Sequence, residues 1–173
     1  MKLKHYLFLF LALSLLSCKV YKLDDDACEE CGNYYFRYID KTSVSFCGWT
    51  RDAINKLGGD MYVPEKIYNL NVAEIRIATK VKDGRYNFSS SYDYKEIKDY
   101  MKGVKSIVIP KTVRTIQSNI FANCSDIERI TFKETSNWYA KDGVTHSWIP
   151  VDVSNPSNNV LIIKNAGSLK NIP

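Results

Sequence analysis

Between Met101 and Phe132 the apolar residues return at a fixed offset: Met101, Val104, Ile107 and Ile109 recur 23 residues later as Cys124, Ile127, Ile130 and Phe132. An earlier, irregular copy is present, since Val63-Pro64 followed by Val72 and Ile75 mirrors Ile109-Pro110 followed by Val113 and Ile116, with five extra residues in the earlier loop. Self-similarity at a period of roughly 20 to 50 residues restricts a chain to stacked or radial arrays. A single short unit cannot bury its own apolar face, so each copy needs a neighbour. At 173 residues, with 45% apolar and 25% charged side chains, the chain has the length and composition of one globular unit.

The residue types say how one unit runs. Ser106 to Ile109 is rich in β-branched side chains and reads as a short strand, with Ile107 and Ile109 on one face and Ser106 and Val108 on the other. Pro110 has no N–H for the ladder and ends it. Val113, Ile116, Ile120 and Phe121 then carry the apolar face round a short turn or helix, and Ile127 returns it to the next strand, Ile130 to Phe132. The expected repeat core is therefore Ile107, Ile109, Val113, Ile116, Phe121, Cys124, Ile127, Ile130 and Phe132. Each buried Ile or Phe contributes roughly 1.5 to 3 kcal/mol.

The run from Ile107 to Ile116, followed by Ile120-Phe121-Ala122-Asn123-Cys124 and by Ile127-Glu128-Arg129-Ile130-Thr131-Phe132, resembles the BspA-like leucine-rich repeat family of bacterial surface proteins. The family pattern is a strand ending in Ile-Pro, then Val-x-x-Ile, Ala-Phe-x-x-Cys and Leu-x-x-Ile; Ile120 stands where the pattern has a small Ala. The strict match covers residues 105–132 and a loose one residues 35–159. The tail from Val151 to Asn159, after Trp138-Tyr139, also looks like the ending of lipoprotein members. The resemblance implies a strand-rich α/β fold, a short leucine-rich repeat solenoid with an N-terminal β-hairpin cap. By the same analogy Phe36 to Trp49 is a two-stranded opening piece with Asp40-Lys41 near its turn, and Gly58-Gly59-Asp60 precedes the first repeat strand. Residues 34–60 then form the capping region, 61–135 the repeats with an insertion at 83–100, and 136–173 the C-terminal cap and tail. Stability normally takes about three repeats, and two and a half are visible, so the caps must matter.

The N-terminus is an address. Lys2 and Lys4 precede an apolar run from Tyr6 to Leu16, broken only by Ser14, and Ser17 stands before Cys18. This is the layout of a secretory signal at residues 1–17, and a run of 11 residues falls well below the roughly 20 that span a bilayer as a helix. Leu15-Leu16-Ser17-Cys18 resembles the lipobox of bacterial lipoproteins. That implies cleavage between Ser17 and Cys18 and acylation of Cys18, whose thiolate is the nucleophile a stable thioether requires. Each buried acyl methylene contributes about 0.8 kcal/mol to membrane binding. The expected protein is exported and membrane-anchored, at the outer membrane or cell surface rather than the inner membrane. Residues 18–33, polar and acidic with Asp24, Asp25, Asp26, Glu29 and Glu30, read as a lipidated flexible tether.

Four cysteines remain. Cys28 and Cys31 form a C-x-x-C, but the surrounding carboxylates oppose the thiolate a redox site needs. A zinc site using Cys28, Cys31, Cys47 and Cys124 or His146 lacks a second tight pair. Export favours a disulfide instead, joining Cys28 or Cys31 to Cys47 or to each other, with Cys124 buried as a small apolar residue. No metal and no cofactor is expected.

Removing Lys2 and Lys4 leaves 22 basic against 19 acidic residues, which is no signal for nucleic acid. After processing, His146 is the only histidine, and no nucleophile, base and acid stand in a motif with it; no phosphate-cradling glycine pattern is present either, so the chain reads as a non-enzyme. Two surfaces are candidates for a partner. One is the insertion, whose Tyr86, Tyr92 and Tyr94 among Ser89, Ser90 and Ser91 have the composition of adaptable binding surfaces, or else cover a flank of the stack. The other is the outward strand face, where leucine-rich repeats generally bind: Ser106, Val108, Arg129 and Thr131, a mixed set that equally suits solvated surface. Two functions follow. The first is an adhesion or binding module for a protein or glycan, as the resemblance implies from members that adhere to host matrix proteins or to other bacteria. The second is a periplasmic structural or assembly lipoprotein that pairs with itself or with an envelope complex through incompletely capped ends.

Overall fold

A computed structural model describes residues 27–76, 80–82, 94–96, 102–117, 120–121 and 125–173. The first three strands, β1 (Ala27–Cys31), β2 (Tyr34–Tyr38) and β3 (Ser43–Trp49), form an antiparallel meander. Gly32, at φ 58°, supplies the left-handed turn between β1 and β2. Between β2 and β3 the Asp40 carboxylate accepts the N–H groups of Thr42 and Ser43 at 2.7 and 2.8 Å, an Asx-type turn that its position near Asp40-Lys41 foretells. Helix α1 (Arg51–Leu57) starts where the Thr50 hydroxyl accepts the Ala53 N–H and stops at Gly58, φ 63°. Gly59 follows at φ 89°, and a Cβ there would stand 2.3 Å from the Gly103 carbonyl oxygen, so only glycine lets the two repeat units approach.

The next elements are β4 (Asp60–Tyr62), β5 (Lys66–Ile67), β6 (Leu70–Ile75), β7 (Lys80–Lys82), β8 (Tyr94–Glu96), β9 (Ser106–Ile109), β10 (Thr115–Gln117) and β11 (Arg129–Phe132). The chain closes with β12 (Trp138–Lys141), β13 (Trp148–Pro150), helix α2 (Pro156–Asn165) and β14 (Ser168–Asn171). Two sheets result. One is a parallel ladder, β4-β9-β11, with Met61, Ile107 and Ile130 in one rung, continued by Ile109 beside Phe132. The other runs β13-β12-β14-β10-β6-β3-β2-β1-β7-β8, with β5 paired to β6; its centre, β3-β6-β10, is again parallel.

The repeat register is the one the apolar spacing predicts. The Val63 N–H bonds to the Val108 carbonyl at 2.9 Å, which sets Val63-Pro64 level with Ile109-Pro110. On the other sheet Ile116 pairs with Ile75. The inward residues of both sheets, including Phe46, Val72, Ile75, Ile107, Ile116, Ile130 and Leu169, join in one buried cluster. The strand-rich fold with an N-terminal hairpin is as expected.

Several local expectations differ from the structure. Residues 27–31 belong to strand β1 and not to a tether reaching Asn33, because β1 pairs with β2 and the Cys28 side chain is buried in a disulfide with Cys47. Among the described residues Cys31 is the free thiol, partly buried. The two-stranded opening piece expected from Phe36 to Trp49 is present as β2 and β3, and β1 adds a third strand before it. Where a short turn or helix was expected, the described residues show turns at 111–112 and 120–121 and, between them, strand β10, whose backbone β6 on one side and β14 on the other satisfy. Ile120 and Phe121 are buried as read, whereas Cys124, like Met101, lies outside the described residues. Helix α2 was not anticipated: Asn155 caps it by accepting the Ser157 and Asn158 N–H groups, and Pro156 fits its first turn.

Side chains from both flanks close the short ladder. At one edge the Trp49 indole N–H donates to the Tyr62 carbonyl at 2.9 Å. At the other, α2 packs on β11 and the fully buried Asn159 amide donates to the carbonyls of Ile130 and Val153 at 2.8 and 2.9 Å. Unpaired edge carbonyls are costly to bury and invite another strand, and here each of these finds a donor from its own chain.

Candidate functional site

The outward face of β4-β9-β11 carries a polar row that the register lines up. Asp60 stands beside Ser106, and Ser106 beside Arg129. The Asp60 Oδ1 accepts the Ser106 hydroxyl at 2.6 Å and the Arg129 guanidinium at 3.3 Å. Ser106 is buried under this bridge, which corrects the reading of it as solvated strand surface. Arg129 and Asp60 keep 55% and 66% of their side chains exposed, so the pair adds little stability, between about 0 and 1 kcal/mol, and stays open to a partner. A guanidinium offers several donors in a planar fork suited to carboxylates and carbonyls.

The next rung presents Tyr62, Val108 and Thr131. Tyr62 is half exposed, while Val108 and Thr131 are half buried. The Tyr62 ring meets Tyr34 edge-on with centroids 6.4 Å apart. Burial and a hydrogen bond with Tyr62 push the Tyr34 phenol well above its ordinary pKa. The result is a patch with an acceptor, a fork of donors, an oriented aromatic ring and a small apolar surface. Such a set can exchange hydrogen bonds at the guanidinium and the carboxylate and offers a ring for stacking.

Ser106, Val108, Arg129 and Thr131 are therefore brought together, as the strand alternation predicts. Asp60 and Tyr62 were missed as partners of that face. Their signal was present, since aligning Val63-Pro64 with Ile109-Pro110 places Asp60 opposite Ser106 and Tyr62 opposite Val108. The insertion residues Tyr86 and Tyr92, and Ser17 and Cys18 at the expected cleavage point, lie outside the described residues; Tyr94 opens β8. His146 sits exposed in the β12-β13 hairpin at φ 57°. Among the described residues no three His, Cys, Asp or Glu side chains are grouped to hold a metal ion.

Comparison with curated proteins and with solved structures returns no match in either set. Comparison with protein families does: residues 25–140 and 95–165 match the family described as BspA type leucine rich repeat region (6 copies). The matched residues take in β1-β3 and the segment holding α2. The parallel ladder, its register and this match together place the chain in the BspA-type leucine-rich repeat family.

Proposed function

We propose that this chain is a non-enzymatic binding module, exported and held at the outer membrane or cell surface by acyl chains on Cys18, that presents the β4-β9-β11 face to a protein or glycan partner. One observation carries the reading: the exposed Asp60–Arg129 bridge over Ser106, set next to Tyr62 on a rigid ladder. Family membership supports a surface-binding role, and the lipobox-like Leu15-Leu16-Ser17-Cys18 supports the anchor. The alternative, self-pairing through open ladder ends, finds less support, because Trp49 and Asn159 occupy the edge carbonyls such pairing would use.

The test is adhesion of intact cells to immobilised matrix proteins, serum proteins and partner bacteria, comparing the gene deletion with complementation by wild type, by Tyr62→Ala with Arg129→Ala, and by Cys18→Ala. Adhesion falls on deletion, returns with wild type, and stays low with the double variant and with Cys18→Ala, whose product leaves the detergent phase. Adhesion unaffected by deletion across all three ligand groups refutes the reading.

A further inference from the structure

At the far end of the larger sheet, three terminal strands gather side chains that the ladder face does not use. Tyr139 stands between Pro150 of β13 and Lys170 of β14, and Lys141 stands opposite Trp148. Strand alternation puts Tyr139, Lys141, Trp148 and Lys170 on one face, and the row continues through Lys170 to Thr115 of β10. Trp148 is 40% exposed, an unusual state for an indole on a sheet, and the Lys170 ammonium stands 6.0 Å from its ring centroid.

The charges on these strands have one sign. Lys141 and Lys170 are the only charged residues of β12, β13 and β14, and neither is ion-paired among the described residues. The nearest acid in sequence, Asp142, turns its carboxylate onto the Val144 and Thr145 N–H groups and the Thr145 hydroxyl. Two unpaired ammonium groups beside two aromatic rings with a hydroxyl in the same row call for a ligand that is anionic, hydroxylated and able to lie flat on a ring.

We propose that this face binds an acidic glycan, a polysaccharide bearing carboxylate or sulfate groups. The C–H face of a sugar stacks on Trp148 or Tyr139, its anionic group meets Lys141 or Lys170, and its hydroxyls meet Thr115. An acidic peptide added as a strand fits less well, because β13 has three residues and ends at Pro150, which has no N–H to pair. The inference stands apart from the ladder-face reading, since the two faces lie on different sheets and their variants separate them.

Affinity electrophoresis of the full processed chain tests it, in gels containing polygalacturonate, heparin, neutral dextran or polyglutamate. Retardation by polygalacturonate assigns carboxylated sugars, retardation by heparin assigns sulfated ones, and either supports the inference when dextran and polyglutamate leave migration unchanged. Trp148→Ala and Lys170→Gln, both at exposed positions, each weaken the retardation about tenfold while Arg129→Ala leaves it intact. Added salt reduces it as ion pairs are screened. An unchanged thermal midpoint shows that the variants are folded. No retardation by either acidic polysaccharide, equal retardation by dextran or polyglutamate, or wild-type behaviour of both variants overturns the proposal.

Discussion

Replacing Asn159 tests how the ladder is finished. Its amide donates to two buried carbonyls, of Ile130 and Val153, at 2.8 and 2.9 Å. A carbonyl left buried without a donor costs about 1 to 3 kcal/mol. The Asn159 Oδ1 itself has no partner among the described residues, so removing the side chain also relieves one unpaired acceptor. The balance for Asn159→Ala is a loss of about 2 to 3 kcal/mol. For a domain of this size each kcal/mol moves the melting temperature by roughly 2 to 4 °C, which predicts a drop of about 5 to 10 °C. Asn159→Leu separates the donors from the volume, since leucine fills the space but donates nothing. Thermal unfolding followed by far-UV circular dichroism measures both variants. A Leu variant melting within about 1 °C of the parent would refute the claim that α2 completes the ladder through this amide.

Other outcomes follow from the N-terminal meander. The Cys28–Cys47 bridge closes a separation of 19 residues, for which loss of unfolded-chain entropy contributes about 3 kcal/mol. Urea unfolding of the Cys28→Ala, Cys47→Ala double variant therefore shows a stability lower by about that amount; an unchanged midpoint contradicts the pairing. Asp40 responds to acid. Three hydrogen bonds from Thr42 and Ser43 hold its carboxyl at about 2, below the ordinary 3.8. A folded-state value below the unfolded one means stability present above the ordinary carboxylate range and lost as pH falls toward the folded value. Asp40→Asn accordingly flattens the fall in melting temperature between about pH 4 and pH 2; an unaltered slope rejects this.

The ladder and its register were legible because they rest on apolar side chains that recur with a proline stop: Ile107, Ile109, Ile130 and Phe132 had to share one buried face, and Val63-Pro64 had to align with Ile109-Pro110. What escaped lies where other forces hold the chain. In β1, Cys28 is followed by two adjacent carboxylates, Glu29 and Glu30, and a disulfide with ladder pairing replaces apolar alternation. Strand β10 has three residues, too few for a period, and borrows its order from β6 and β14. Helix α2 buries Asn159 with Val160 and Ile163, and that polar residue interrupts the stripe by which a helix is recognised. The binding face divides the same way. Arg129 and Ser106 were visible from strand alternation, whereas Asp60 and Tyr62 sit on a strand, Asp-Met-Tyr, with no β-branched residue.

The most direct test of a surface-displayed module is protease treatment of intact cells followed by immunodetection of the domain from Ala27 onward, with lysed cells as control. The account predicts that the domain is digested on intact cells. Protection until lysis would place it inside the envelope and contradict the central claim.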